Sequence, residues 1–205
     1  MLELLTGTGL ATASGLNAGL PLLLLGVLDR WTGLVTLPEG WAWLSNGWVL
    51  TILAGLLVLE VVADKVPGVD HVNDVLQTVV RPTAGGLAFG AGAGSQTVAV
   101  TDPGAFFTSD AWVPVAIGVV LALTVHAGKA LTRPVVNAAT FGVGGPVMST
   151  VEDGSSLALS LAAVLLPALV LVLLAVLVWA AVRTMRRAGR VRRDRFGTRG
   201  AGAAP

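Results

Sequence analysis

Six long apolar stretches constrain this chain more than any other feature of its sequence. A helix needs about 20 residues to cross the roughly 30 Å hydrocarbon core of a bilayer. Hydrophobic residues make up 54% of the chain and charged residues only 12%, against roughly 25% charged in globular proteins. Because one soluble core could not bury so much apolar surface, the sequence predicts an all-α, multi-pass membrane protein with six transmembrane helices. The predicted spans are residues 4–28, 47–63, 82–101, 111–128, 134–151 and 154–182.

The basic residues are distributed asymmetrically among the predicted connections. Of thirteen Lys and Arg residues, only Arg30 lies in the first, third or fifth connection, and eight arginines follow the sixth span. Basic connections stay cytoplasmic during insertion. The sequence therefore predicts the cytoplasmic (inner) membrane, with both termini cytoplasmic. The outer connections would then hold the acidic residues Asp29, Glu39, Asp102, Asp110, Glu152 and Asp153.

The basic tail, residues 184–205, directly follows the last predicted span. Arginines in that position attract anionic lipid headgroups, which we favour over nucleic-acid binding. Its Gly, Ala and Pro residues predict disorder. The predicted partners are therefore membrane lipids and no nucleic acid, and glycine-rich helix faces would also allow a homo-oligomer.

The sequence contains an internal repeat. Residues 40–65 align with residues 104–129 with nine identities in 26 positions, and RPTAGGLAFGAG from Arg81 matches RPVVNAATFGVG from Arg133. A segment around VPGVDHVNDVLQ is present only in the first copy. The pattern predicts two or three parallel two-helix hairpins, with the small-residue spans inside the bundle because glycine permits close helix approach.

Two pairs of acids lie where the second span ends. Glu60 and Asp64 are four residues apart and share a helix face, and Asp70 and Asp74 share a face of a short amphipathic helix predicted between the second and third spans. Ionisable residues near lipid are either paired or functional. They would form a cation or proton site entered from the cytoplasm, or they would pair with basic residues and lock the hairpins together. The candidates for pairing are Lys65, Arg81, Lys129 and Arg133.

Weaker candidates for a transport or ion site are Asn17, Asn137 and His126. Asn17 and Asn137 are more simply explained by hydrogen bonding between helices, which is common in membrane bundles. His126, near the cytoplasmic end of the fourth predicted span, is more simply a capped residue at the membrane interface. The chain has no cysteine and two histidines, and neither histidine has metal-ligand spacing. We therefore predict no metal site and no cofactor.

Several motifs resemble one family. SGLNAGLPLL from Ser14, WAWL from Trp41, LEVVADKVPGVDHVNDVLQTVVRPTAG from Leu59 and PVMSTVED from Pro146 are similar to the bacterial and plastid membrane proteins grouped as domain of unknown function 4126. The resemblance implies an integral-membrane fold and no particular activity. It marks the motif positions Glu60, Pro67, Asp70, Asp74, Pro82, Gly85, Pro146 and Glu152.

The leading functional hypothesis is a transporter or channel for a small solute, an ion or a lipid, with a cytoplasmic-side acidic site at Glu60, Asp64, Asp70 and Asp74. The alternative is a non-catalytic scaffold or assembly factor, whose acids only hold hairpins together. We do not predict an enzyme, because the sequence offers no nucleophile motif, metal cluster or paired His/Asp arrangement.

Overall fold

The computed structural model describes residues 2–65, 69–94, 112–140 and 143–200, apart from some side chains near residues 69–74 and beyond residue 180. This part of the chain contains no strand, which confirms the all-α class for it. A 3₁₀ helix spans Glu39–Ser45. The α-helices are α1 (Leu2–Leu16), α2 (Gly19–Trp31), α3 (Gly47–Ala63), α4 (Val69–Gly92), α5 (Trp112–Ala139), α6 (Gly144–Leu165) and α7 (Pro167–Gly200).

Helix α1 lies at the centre of the bundle and runs antiparallel to α4 and α6. Gly7 packs against Phe89 near one end of α4, while the carbonyl of Gly15 accepts a hydrogen bond from Arg81. Ser156 of α6 donates to the carbonyl of Ala13. The small residues of α1 and of the second half of α4 are buried, so the prediction that small-residue segments form the interior is confirmed for these two helices.

The predicted first span, residues 4–28, is two helices that fold back on each other. Thr6 and Leu25 line the same cavity of about 200 Å³, whereas a straight helix would separate them by roughly 28 Å. The chain turns at Asn17 and Ala18. Pro21 lies in the first turn of α2, where its missing N–H removes no helical hydrogen bond.

A second break separates α6 from α7 inside the predicted sixth span. Leu166 has φ −144° and ψ 69°, consistent with the steric bias of a residue before proline away from helical geometry. Pro167 then opens α7, a position that suits its fixed φ. Helix α7 continues to Gly200, through part of the tail predicted to be disordered, because arginine and alanine favour helix. Residues 201–205 lie outside the described residues.

Three helices run through positions predicted to be connections. Helix α4 joins the predicted amphipathic helix to the third span, α5 crosses residues 129–133, and α6 crosses Glu152 and Asp153. The charged residues do not end these helices, because the backbone hydrogen bonds of a helix form whether or not its side chains are charged. Ending a predicted span at a charged residue assumes that this residue reaches water. The assumption is wrong for charged side chains that form ion pairs inside the protein.

The described residues of the two copies of the internal repeat differ in structure. The first copy forms two helices, α3 and α4, with residues 66–68 between them, whereas the second copy is continuous helix from Lys129 through Arg133. The first copy carries Pro67 and Gly68, which disfavour helix interiors, and the second copy lacks this segment. The predicted repeat of two-helix hairpins is therefore not reproduced.

The N-terminal end of α1 and the basic tail leave the bundle at opposite ends. Gly9 of α1 packs against Val170 near the start of α7, and Leu177 packs with Ala13 and Leu16 farther along. Helices α1 and α7 therefore run in the same direction. That both termini are cytoplasmic stays a prediction.

Among the described helices, Trp112–Ala138 is long and apolar enough to cross a membrane by itself. The 3₁₀ helix and α3 meet the same criterion as a pair bent by 62°, and Pro167–Ala180 is a shorter apolar helix. The bundle also presents large apolar side chains on its outer surface. Examples on α3 and α7 are Trp48, Ile52, Leu59, Val178 and Trp179.

Replacement of Gly85 by alanine tests the close packing of α4 against α5. A Cβ at Gly85 would overlap Ala122 and lie 2.9 Å from the carbonyl oxygen of Gly118. We expect Gly85→Ala to lower the free energy of unfolding by about 1–3 kcal/mol, the usual range for an overpacked interior. Thermal unfolding in a mild detergent measures the effect.

The matched control is Gly55→Ala on α3, where nothing lies within 4 Å of an added Cβ. This variant should be unchanged or more stable by up to about 1 kcal/mol, since alanine is the better helix former. Equal stability of the two variants would contradict the α4–α5 packing.

Candidate functional site

Eight ionisable side chains meet beside the turn between α1 and α2, and six of them are buried in the bundle. Four are carboxylates and four are cations, so their formal charges cancel. The helices α3, α4, α5 and α6 and the residues directly after α3 supply them. We call this group the charge cluster; its members are Glu60, Asp64, Glu152, Asp153, Lys65, Arg81, Lys129 and Arg133.

Asp64 is the centre of the charge cluster. It follows the last residue of α3, and its side chain is 2% exposed. Its Oδ2 lies 3.0 Å from Lys129 Nζ, 3.0 Å from Arg133 Nη2 and 3.5 Å from Arg81 Nη2. Its Oδ1 accepts a hydrogen bond from Asn73 at 2.8 Å. One carboxylate thus joins the end of α3 to α4 and α5.

Glu60 lies one turn before Asp64 on the same face of α3 and connects the cluster to the α1–α2 turn. Its Oε1 accepts a hydrogen bond from Arg81 Nη2 at 2.9 Å and from the backbone N–H of Ala18 at 3.3 Å. Arg81, which is fully buried, also donates to the carbonyl of Gly15. Glu60 and Arg81 therefore contact both sides of the turn.

Glu152 and Asp153 bring α6 into the charge cluster. Glu152 Oε2 lies 2.8 Å from Lys129 Nζ and 3.4 Å from Arg133 Nη2, and Asp153 Oδ2 lies 3.2 Å from Lys65 Nζ. The prediction that these two acids lie in an outer connection, opposite the basic residues, is wrong. They lie within α6, where the helical register turns them toward cations on the neighbouring helices.

Asn17 forms the tip of the α1–α2 hairpin and is fully buried. Its Oδ1 accepts hydrogen bonds from the backbone N–H groups of Gly19 and Leu20, each at 3.1 Å. These bonds satisfy donors that the first turn of a helix leaves free. Its Nδ2 donates to Asp153 Oδ1 at 2.9 Å. The same side chain therefore caps α2 and ties the hairpin tip to the charge cluster.

The structure brings together only part of the predicted site. Asn17, Glu60 and Asp64 are in the charge cluster or bonded to it, and all four pairing candidates form ion pairs. His126 instead lies 3.1 Å from the hydroxyl of Thr78, and Asn137 lies beside Gly145 on α6. Asp70 and Asp74 fall in the first turns of α4, and their side chains lie outside the described residues.

Sequence reasoning missed Glu152 and Asp153 as members of the cluster. Charge counting could not have found them, because Glu60, Asp64, Asp70 and Asp74 already equal the four predicted pairing cations in number. Asn73 was also missed, although it is four residues before Gln77 and eight before Arg81, and so shares their face of α4.

The pairing limits what the charge cluster can bind. Each of its carboxylates contacts at least one cation, so none is a bare ligand for a metal or a free cation. Within the described ranges, no three acidic or histidine side chains converge as a metal site would require. Buried ion pairs with several partners are strongly held, because removing one partner leaves an uncompensated buried charge.

The family model described as Domain of unknown function (DUF4126) matches residues 4–187, and the chain belongs to this family. No curated protein and no solved structure matches the chain.

Neutralising Asp64 tests its position at the centre of the cluster. Asp64→Asn would leave three buried cations short of a negative charge, and we expect a loss of about 3–5 kcal/mol in the free energy of unfolding. Lys65→Gln is the control, because the Lys65 side chain is 36% exposed and such pairs contribute about 0–1 kcal/mol. Thermal unfolding in detergent compares the two variants. A smaller loss for Asp64→Asn than for Lys65→Gln would contradict the assignment.

Proposed function

For this member of the domain of unknown function 4126 family, we propose a multi-pass protein of the cytoplasmic membrane that moves a small solute, an ion or a lipid. In place of six simple spans, we propose a re-entrant α1–α2 hairpin enclosed by α3, α4, α5, α6 and α7. The exposed apolar side chains of α3 and α7 support contact with lipid, because soluble monomers rarely expose large apolar patches.

The basic residues support one orientation. The arginine-rich tail and the basic members of the charge cluster lie toward the same end of the bundle, which would be cytoplasmic. The N-terminal end of α1 and the connection after α2 would then face outward. In this orientation the tail would contact anionic headgroups of the inner leaflet.

One observation carries the transport proposal: a net-neutral cluster of ionisable side chains is buried at the tip of a broken helix. Ionisable residues inside membrane proteins mark substrate or ion paths more often than they mark simple structure. Discontinuous helices whose ends meet in the interior are also typical of transporter binding sites. Asn17 and Ala18 join these two features, since both are at the hairpin tip and both bond to acids of the cluster.

We propose that the charge cluster acts as a gate rather than as an open acidic site. Its acids are already paired, so a passing solute or proton would have to displace an existing ion pair. The hairpin tip is held to the acids by two hydrogen bonds, of 2.9 Å from Asn17 and 3.3 Å from Ala18. Movement of the tip would break both hydrogen bonds, and Glu60 and Asp153 could then pair with a proton or a solute.

A membrane scaffold is the second candidate, and the complete pairing of the acids favours it. A cluster in which every carboxylate has a cation holds four helices together without any bound solute. In that case the ion pairs would set stability alone, and the purified protein would move nothing across a bilayer.

Flux measurements in proteoliposomes separate the two functions. The probes are protons, followed by a trapped pH-sensitive dye, and a fluorescent phospholipid, followed by chemical quenching of the outer leaflet. We expect the parent protein to move at least one probe faster than protein-free liposomes. Glu60→Gln should abolish this movement, and Glu39→Gln, which alters an exposed acid, should not.

A double variant guards against simple misfolding. Glu60→Gln with Arg81→Gln keeps the cluster neutral, and it should fold better than Glu60→Gln while still failing to move the probe. If the parent protein moves neither probe, and the variants differ only in thermal stability, the scaffold function replaces the transport proposal.

A further inference from the structure

Three helices carry polar side chains in rows along the inner faces of the bundle. The rows follow three- and four-residue spacing, which keeps side chains on one face of a helix. Each row includes a member of the charge cluster and continues past it. The rows are Asn73, Gln77 and Arg81 on α4; Lys129, Arg133 and Asn137 on α5; and Ser149 and Glu152 on α6, after Gly145.

The three rows face one another. Asp64 contacts Asn73 and Arg81 of the α4 row and Lys129 and Arg133 of the α5 row. Glu152 of the α6 row contacts the same two residues of the α5 row. Two turns farther on, α5 and α6 still touch. There, a Cβ on Gly145 would lie 2.9 Å from Asn137 Oδ1. Polar side chains of the three rows therefore meet at the charge cluster, and the α5 and α6 rows continue from it toward the end of α5.

Four atoms in these rows are buried without a hydrogen-bond partner among the described residues. They are Gln77 Oε1, Arg81 Nε, Asn137 Oδ1 and Ser149 Oγ. A buried polar group without a partner is destabilising, and roughly 90% or more of such groups in proteins have a partner. A group of four in one interior therefore indicates that another molecule supplies the missing bonds.

We propose that ordered water molecules occupy this polar interior and form a hydrated path from the α5–α6 end of the bundle to Glu152 and Asp64. Water can bond to all four atoms because it both donates and accepts hydrogen bonds. Two of the atoms are amide oxygens that accept, one is a hydroxyl that does both, and Arg81 Nε donates. Buried water molecules typically make about three hydrogen bonds each to otherwise unsatisfied groups. An ion is a poorer occupant, since the charges of the cluster already cancel.

The path would give protons or small polar solutes access to the charge cluster from the proposed cytoplasmic end. That use of the path rests on the proposed transport function. The hydration of the path does not rest on transport, because it is inferred only from the unsatisfied polar atoms of Gln77, Arg81, Asn137 and Ser149.

Cysteine accessibility tests the hydration directly, because the chain contains no cysteine. Ser149 and Ser160 lie on α6 and are both fully buried, but the hydroxyl of Ser160 donates to the carbonyl of Ser156 at 2.8 Å. The probe is 2-aminoethyl methanethiosulfonate, a small water-soluble reagent. In the folded protein we expect Ser149→Cys to react at least about tenfold faster than Ser160→Cys, since thiol reactivity requires access to water.

A second pair on α4 keeps the test decisive if either serine variant does not fold. Gln77 is 6% exposed and Ala88 is fully buried, and we expect Gln77→Cys to react faster than Ala88→Cys by a similar factor. Equal rates within the folded pairs, or no reaction at Ser149→Cys and Gln77→Cys before unfolding, would overturn the proposal. Cysteine labelling does not depend on solute movement. If Ser149→Cys and Gln77→Cys react as expected but the protein moves neither flux probe, the transport proposal is refuted and the hydrated path still stands.

Discussion

The fold depends on burying charge without leaving any of it uncompensated. Asp64 takes contacts from Lys129, Arg133 and Arg81, which come from helices far apart in sequence, and Glu152 closes the group from α6. The effective penalty for taking a single ion out of water is several kcal/mol, and good geometry with extra hydrogen bonds offsets it only when all partners are present. The helices that supply these groups are therefore restricted to arrangements that keep the cluster complete.

Close helix packing and the charge cluster require each other. Backbone contact at Gly85 and Gly118, together with Gly15 against Ala122, brings α1, α4 and α5 near enough for the charged side chains of the cluster to meet. In a bilayer, apolar side chains gain little from leaving lipid, so small residues and polar contacts must supply specificity. The glycines set the distance between helices, and the ion pairs set their register.

The helical class and six of the eight members of the charge cluster could be predicted from the sequence, for a physical reason. Glu60 and Asp64 interrupt an apolar stretch close to basic residues, and an isolated charge there would be too costly to leave unpaired. The turn at Asn17 and the burial of Glu152 and Asp153 were not readable. The side chain of Asn17 bonds both to the start of α2 and to α6. Hydropathy cannot distinguish a charged side chain that reaches water from one that pairs with a distant residue.

The most direct measurement of the central claim is a double-mutant cycle between Lys129 and Glu152, whose charged atoms lie 2.8 Å apart. Lys129→Met, Glu152→Gln and the double variant would be compared with the parent protein by chemical unfolding in detergent. We predict that the double variant is more stable than the sum of the single losses implies, by about 0.5–3 kcal/mol, the range for directly interacting residues. Additive losses would show that the two charges do not stabilise each other and would contradict the account.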